Sequence, residues 1–237
     1  MKQLLLLIIP AYNEEENIIK TCKSIDEYNK KNELKLDYVV INDGSKDSTP
    51  KILDENRINH IDLIHNLGIG GAVQTGYKYA LDNDYDIAIQ YDGDGQHDVS
   101  YVEKLIEPII NKNVNMTIGS RFIDKTSSQF KSSAARRIGI NLISFVIKLK
   151  TGVKIYDTTS GFRAVDKKII KIFAGSYPTE YPEPISTVKI LNNNFSVEEI
   201  PVGMKEREGG KSSINSWKTV YYMINVILSI LISKKGG

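Results

Sequence analysis

Cysteine is almost missing from this chain. Cys22 is the only one in 237 residues, so no intrachain disulfide can form and a reducing compartment is expected. Histidine is scarce too: His60, His65 and His97 lack zinc-ligand spacing, and at most one is expected near a site. No long apolar run opens the chain. Leu4–Ile9 is too short for a signal h-region and has no cleavage site behind it, so export is not expected. The last apolar stretch, Trp217–Ser233, would span roughly 25 Å as a helix, short of a ~30 Å hydrocarbon core, so a true membrane span is not expected. Internal repeats and low-complexity segments are absent.

What is present fits a soluble globular chain of one large or two small domains, with 25% charged and 41% hydrophobic residues. The net charge of +2 hides an asymmetry. Residues 1–98 carry 18 Asp/Glu against 10 Lys/Arg, and residues 99–237 carry 11 against 21. An acidic half suits a cation site; a basic half suits an anionic substrate or a membrane surface. A chance distribution over a solvated surface is the plain alternative.

Leu4–Ile9 reads as a strand covered on both faces of a parallel sheet. Further strands are expected at Tyr38–Ile41, Ile61–Ile64, Ile87–Gln90 and Met116–Ile118. Helices follow Glu14 and Ser48 and occupy Ile69–Leu81 and Tyr101–Ile110. This alternation predicts an α/β sheet, mostly parallel. Ligands bind such sheets beyond the carboxyl ends of the strands. Those ends carry Tyr12, Asp43, Asn66, Asp92/Asp94 and Arg121, all polar or charged.

The most informative stretch is AIQYDGDGQH, residues 88–97. A buried strand runs into Asp92-Gly93-Asp94-Gly95, where two carboxylates can turn toward one hard cation and the glycines permit the tight turn. An Asp/Gly surface turn without an ion is the alternative. A phosphatase aspartate pair is not expected, because such pairs lie near the first strand of a domain and this one follows the fourth.

Beyond residue 121 the character changes: from Lys125 to Lys154 there are seven Lys/Arg and no acid. Arg136 and Arg137 open the amphipathic run Ile138–Leu149. Cations at a helix start are disfavoured unless an anion compensates, so they either meet an anionic ligand or face solvent. Helices are expected at Asp166–Phe173 and Glu183–Leu191, and a strand at Val197–Val202. Residues 205–213, KEREGGKSS, form a basic loop that is either a linker or a lid over phosphates. The helix at Trp217–Ser233 carries one polar stripe, from Lys218 through Tyr222, Asn225 and Ser229 to Ser233. It is expected to lie in a membrane interface or on a partner, with core packing as the alternative.

The segments IIPAYNEEENI, VINDGSKDST, QYDGDGQHD, GSRF, DTTSGFRA and VGMKEREGGKSSI occur in the order found in family 2 glycosyltransferases. The chain resembles most the dolichol-phosphate-mannose-synthase-like branch and its bacterial polyprenyl-phosphate relatives, from residue 3 to about 215. The resemblance implies a GT-A (Rossmann-like) fold, a nucleotide-sugar donor favouring UDP, Mg²⁺ or Mn²⁺, and inverting transfer of a hexose or N-acetylhexosamine. By position, Pro10, Tyr12, Glu14 and Asp43 would line the nucleotide pocket. Asp92, Asp94 and Gln96 would stand on the metal side. Arg121 with Arg136 or Arg137 would hold an acceptor phosphate, Asp157 would be an acidic active-site residue, and Arg207 and Lys211 would close on the donor. The chain departs from the family where a lysine is common: it reads Asn66-Leu67-Gly68-Ile69-Gly70. Many family members also carry transmembrane helices after the catalytic domain, where only the short apolar helix at Trp217–Ser233 is expected here.

The expected organisation is a catalytic domain over 1–213, divided into a nucleotide-sugar and metal half (1–121) and an acceptor half with the mobile loop (122–213). A C-terminal helix over 214–237 follows. The expected acceptor is polyprenyl (undecaprenyl) phosphate at the inner face of the cell membrane. Such an acceptor is already an anion and needs positioning rather than a strong base. A sugar hydroxyl of a lipid-linked or wall polysaccharide is the alternative; it would need a base, for which Asp157 is the candidate. A non-catalytic nucleotide-binding scaffold is the third reading. Expected partners are a membrane surface or a small membrane subunit, and a second copy of the chain; nucleic acid is not expected.

Overall fold

The first strand, β1 (Leu5–Ala11), is buried at every position, and its alternate side chains leave in opposite directions. Leu5, Leu7, Ile9 and Ala11 join one apolar cluster, whereas Leu6 and Ile8 join another. β1 therefore lies inside a sheet covered on both faces, as its unbroken apolar run requires. The structure, a computed structural model, describes residues 3–123, 134–204 and 216–233, without the side chains of 134–136 and 216–222.

The other strands are β2 (Asp37–Asn42), β3 (His60–Asp62), β4 (Ile87–Gln90), β5 (Met116–Ser120), β6 (Arg163–Asp166) and β7 (Val197–Pro201). They form one sheet in the order β3-β2-β1-β4-β6-β5-β7. All neighbours are parallel except β6, which runs antiparallel to both β4 and β5. The helices are α1 (Ile18–Lys31), α2 (Thr49–Glu55), α3 (Gly68–Asp82), α4 (Val102–Lys112), α5 (Ala134–Thr151), α6 (Lys167–Gly175), α7 (Pro182–Asn192) and α8 (Ser216–Ile232). α1, α2 and α4 cover one face through Ile18, Cys22, Ile25, Leu53, Val102 and Leu105. α3 and α5 to α8 cover the other, and α3 lies so close to β1 that a Cβ at Gly76 would fall 2.1 Å from the Ile8 side chain.

The mostly parallel α/β sheet matches the expectation, and most elements begin and end within a few residues of their expected bounds. β6 is the exception. The stretch before the helix at 166 carries no strand signal, because four residues headed by arginine are too few to show an alternation. β3 pairs through His60–Asp62, and Ile64, expected in that strand, is almost fully exposed.

α8 packs on α5 and α7, with Val226 and Ile230 in the same cluster as Leu6 and Ile8. Lys150 Nζ donates to the Leu231 carbonyl at 3.0 Å and ties the ends of α5 and α8 together. No helix among the described residues is long and apolar enough to cross a membrane. From β1 the chain builds outward to β2 and β3 on one side and to β4 on the other. The carboxyl ends of β1 and β4 therefore border the crevice where such sheets bind ligands.

Candidate active site

Proline decides where β4 leaves the sheet. The Tyr91 N–H donates to the Ile8 carbonyl, so alternate residues of β1, Pro10 among them, face β4. Pro10 has no N–H to offer, and the β1–β4 register stops at Ile8–Gln90. The chain then turns out as Asp92-Gly93-Asp94-Gly95, with Gly95 at φ 75°. Asp94 Oδ1 accepts from the Gln96 N–H at 3.1 Å and shapes the turn. Asp92, Asp94 and Gln96 are all partly exposed at its surface.

Asp92 is held from three sides. His97 Nε2 lies 3.0 Å from Asp92 Oδ2, and the imidazole is buried between Phe162, stacked at 4.8 Å, and Tyr91 at 5.7 Å. The Tyr91 hydroxyl donates to the His97 carbonyl at 2.7 Å. Gly161 passes beneath: a Cβ there would sit 2.9 and 3.0 Å from the Asp92 oxygens and 3.1 Å from Gln90 Nε2. Burial works against ionisation of Asp92. The hydrogen bond and charge of His97, the charge of Arg121 and the Gln90 amide outweigh it, and the carboxyl stays below the usual range.

At the end of β5, Arg121 points back into the protein. Its Nε donates to Asp157 Oδ2 and its Nη2 to Asp157 Oδ1, both at 2.7 Å, and its backbone N–H donates to Oδ2 at 3.1 Å. Nη2 also donates to Thr159 Oγ1 at 3.0 Å. Asp157 has no exposed surface, so an acceptor hydroxyl has no path to it in this arrangement. Its own position is set by Glu199 on β7, whose carboxylate accepts from the Tyr156 and Asp157 N–H groups at 2.7 and 2.8 Å. Burial pushes the Glu199 carboxyl up, while those two N–H groups pull the other way.

Phe122 brings a second cation to the same place. Arg137, in the first turn of α5, lays its guanidinium 3.8 Å from the Phe122 ring centre, and Arg121 lies 5.2 Å from it. Arg137 Nη1 is buried and has no hydrogen-bond partner among the described residues. The side chain of Arg136 is outside the described residues, as are Arg207, Lys211 and the whole 205–213 loop.

The loops after β1 and β2 are laced together. The Asn13 N–H donates to Ser45 Oγ, Lys46 N–H to Asn13 Oδ1, Glu14 N–H to Thr49 Oγ1, and Ser48 N–H to Glu15 Oε2, all between 2.8 and 3.0 Å. Asp43 is buried and accepts from the Leu67 N–H at 2.7 Å, at the start of α3. Burial raises its carboxyl against the pull of the Leu67 and Gly68 N–H groups. Tyr12 stands exposed, Pro10 is buried, and Glu14 is half-buried and accepts from Asn17 Nδ2 at 3.1 Å. A cleft of about 340 Å³ lies between these loops, lined by Asn13–Asn17, Lys46 and Asp47. Another of about 240 Å³ lies beside Asp94, against Lys20, Thr21 and Ser24 of α1. Neither is lined by Asp43 or Asp92.

Behind Asp92 stands a polar group that local sequence reasoning did not single out. Arg163, on β6 opposite Gln90, is buried; its Nε donates to the Ser160 carbonyl at 2.6 Å and its Nη1 to the Glu183 carbonyl at 2.8 Å. Nη1 also meets the Ser186 and Thr187 hydroxyls at 3.1 Å, which anchors the first turn of α7. Burial raises the Glu183 carboxyl and the charge of Arg163 opposes that rise. The signal available in the sequence was the segment SGFR: Gly161 lies under Asp92, Phe162 on His97, and Arg163 against α7.

Among the described residues, no set of three or more His, Cys, Asp or Glu side chains is arranged to hold a metal ion. Two carboxylates and an amide on one exposed turn, with Asp92 kept ionised, fit a hard cation that draws its remaining ligands from water and phosphate.

The sequence profile described as glycosyl transferase family 2 matches residues 6–173. The chain is 32% identical over 220 residues to a UDP-N-acetylglucosamine–dolichyl-phosphate N-acetylglucosaminyltransferase of Methanococcus voltae, covering 84% of this chain and 85% of that protein. It is 28% identical over 220 residues to a polyprenol monophosphomannose synthase of Mycolicibacterium smegmatis, covering 89% and 80%. Its backbone superposes on glucosyl-3-phosphoglycerate synthase of Mycobacterium tuberculosis, crystallised with Mn²⁺, UDP and phosphoglyceric acid, with a TM-score of 0.67 at 15% identity. That match covers 97% of this chain and 78% of the other, and it shows a shared fold.

Proposed function

The chain belongs to glycosyl transferase family 2, and on that premise we propose that it moves a hexose or N-acetylhexosamine from a nucleotide-sugar, favouring UDP, to polyprenyl phosphate. The single observation that carries the choice of acceptor is the pairing around Phe122. Two guanidiniums, those of Arg121 and Arg137, converge on one ring, and the nearby carboxylate of Asp157 is enclosed by Arg121. Cations without an accessible base suit an acceptor that arrives as an anion. A sugar hydroxyl would need a base, and Asp157 offers it no open oxygen.

In this reading Asp92, Asp94 and Gln96 would hold Mg²⁺ or Mn²⁺, which would neutralise charge on the departing diphosphate. Pro10, Tyr12, Glu14 and Asp43 would flank the nucleotide at the ends of β1 and β2, and Arg207 and Lys211 would close over its phosphates. Arg137 and Arg136 would receive the acceptor phosphate. Arg121, locked by Asp157, would present a fixed positive charge between that phosphate and Asp92. Attack on the anomeric carbon from the face opposite the diphosphate would invert its configuration. The relatives act on lipid phosphates by their names, which supports work at a membrane surface, at the inner face in our reading. A membrane subunit or a second copy of the chain remains part of this proposal.

The test is transfer by purified protein with a panel of UDP- and GDP-sugars, Mg²⁺ or Mn²⁺, and either undecaprenyl phosphate or an oligosaccharide. A lipid-linked monosaccharide is the expected product. A glycosylated oligosaccharide with no lipid product would overturn the acceptor.

A further inference from the structure

We infer that Glu199 is a positioning residue for the acceptor: through two backbone N–H groups it fixes the Asp157 carboxylate that aims Arg121, a step that rests on the role proposed above for Arg121 beside the acceptor phosphate. Glu199 is a half-buried carboxylate that the transfer itself does not use.

Strand parity separates it from the acid next to it. β7 lies at the edge of the sheet, and its successive side chains leave in opposite directions. Val197 packs with the apolar cluster on the α5 side, and Ile200 packs with the cluster on the α4 side. Glu198 leaves with Ile200 and meets Lys112, at the end of α4, at 3.8 Å near the surface. Glu199 leaves with Val197, toward the turn that follows α5.

That turn has N–H groups to place. Between the end of α5 at Thr151 and the start of β6 at Arg163 the chain joins no helix or strand, so buried donors there need partners outside any ladder. Ile155 and Thr158 are buried and hold the turn inside the protein. The Glu199 carboxylate takes two consecutive donors, one on each oxygen: Tyr156 N–H on Oε2 and Asp157 N–H on Oε1. The Ser120 hydroxyl, at the end of β5, also favours its ionised form. Glu199 stands in register with Ile118, so it joins the strand that ends in Arg121 to the turn that carries Asp157. An amide at position 199 could accept from one of those N–H groups, but would set its own NH2 against the other. Losing that grip frees the Asp157 backbone. The guanidinium fork pairs with the carboxylate in one planar geometry, so it turns when the carboxylate shifts.

The experiment is steady-state transfer by Glu199→Gln, varying undecaprenyl phosphate and the sugar donor found in the panel above. Glu198→Gln, which removes the neighbouring charge on the other face, is the control. For Glu199→Gln the KM for the lipid phosphate should rise about tenfold. The kcat, the KM for the sugar donor and Mn²⁺-dependent UDP binding should stay within about twofold of the wild type. Glu198→Gln should match the wild type throughout. In an Arg121→Lys background, which keeps the charge and loses the fork, Glu199→Gln should add less than about twofold. Hydrogen exchange reads the same relay without substrate. The Arg121 N–H, bonded to Asp157 and not to Glu199, should exchange faster in Glu199→Gln, together with those of Tyr156 and Asp157. An unchanged KM for the lipid phosphate overturns the positioning role. So does a rise in both KM values with weaker UDP binding, or a full tenfold effect in the Arg121→Lys background. If the wild type glycosylates only an oligosaccharide, the acceptor reading fails and exchange at Arg121 decides alone: faster exchange keeps Glu199 as the support of Arg121, and unchanged exchange removes it.

Discussion

Both arms of the Arg121 guanidinium meet Asp157 at 2.7 Å, and neither side chain reaches solvent to any useful extent. Breaking such a pair from one side strands a charge in the interior, which costs roughly 3–5 kcal/mol. Asp157→Ala should therefore lower the melting temperature by about 10 °C in a chain of this size. The paired change Arg121→Met/Asp157→Leu should regain most of that loss and none of the transfer activity. Thermal denaturation of the three proteins checks the first part and a transfer assay the second. A melting temperature unmoved by Asp157→Ala would mean the pair does not hold the strand end.

Gly161 tests Asp92 without touching it. A methyl group there would meet both carboxylate oxygens at 2.9–3.0 Å, and those oxygens are the movable end of a side chain. Gly161→Ala should thus shift the carboxylate and leave the fold nearly unchanged. The expected result is a melting temperature within a few degrees of the wild type and metal-dependent UDP binding weaker by about tenfold, the size of effect seen when a ligand's support is disturbed. Calorimetry with Mn²⁺ and UDP reads the second.

That glycine also shows where reading the chain alone stops. The turn after β4 was legible because its meaning is local: an apolar strand, a sharp turn and two acids lie within ten residues. The polar strand ends were legible for the same reason. Gly161 and Phe162 act on residues some seventy positions earlier and Arg163 on α7 some twenty positions later, and no periodicity encodes either contact. Because β6 is short and begins with a charge, the segment reads as a loop, which hides the strand that carries it to Asp92. His97 was in plain view but counted as a lone histidine, since its partner is recognised only once Asp92 turns back toward it. The enclosure of Asp157 by Arg121 joins residues 36 apart, and only the tertiary structure distinguishes a carboxylate held in an ion pair from one open to a substrate.

His97 supports Asp92 through one hydrogen bond at 3.0 Å and through its stack on Phe162. His97→Phe preserves the stacking volume and removes the polar contact. Without it, burial of Asp92 is less opposed and the carboxylate loses its fixed orientation. Metal-dependent UDP binding should weaken by roughly ten- to a hundredfold, with melting changed far less than binding. Chelation by EDTA should bring wild type and variant to the same residual affinity. Persistence of the difference in EDTA would place the effect of His97 somewhere other than the cation.

Cys22 gives the fold an alkaline limit. It lies on α1 against the sheet, and burial, helped by the charge of Asp26, raises its thiol to about 12. An unfolded thiol ionises near 8.5. Below that pH both states keep the proton and the group contributes no pH dependence. Above it the unfolded chain releases the proton while the folded chain retains it, so stability falls from about pH 8.5 until the folded thiol ionises near 12. Cys22→Ala should remove this component, giving a shallower loss of melting temperature between pH 8 and 11, although the small side chain lowers stability at neutral pH by leaving a gap. The same burial keeps the thiolate from forming in the native state, so a thiol reagent at pH 8 should label Cys22 only as fast as the protein opens. Rapid labelling of the folded chain, or parallel pH profiles for the two proteins, would place the thiol at the surface and contradict its burial in the cluster that holds Leu7 and Ile9.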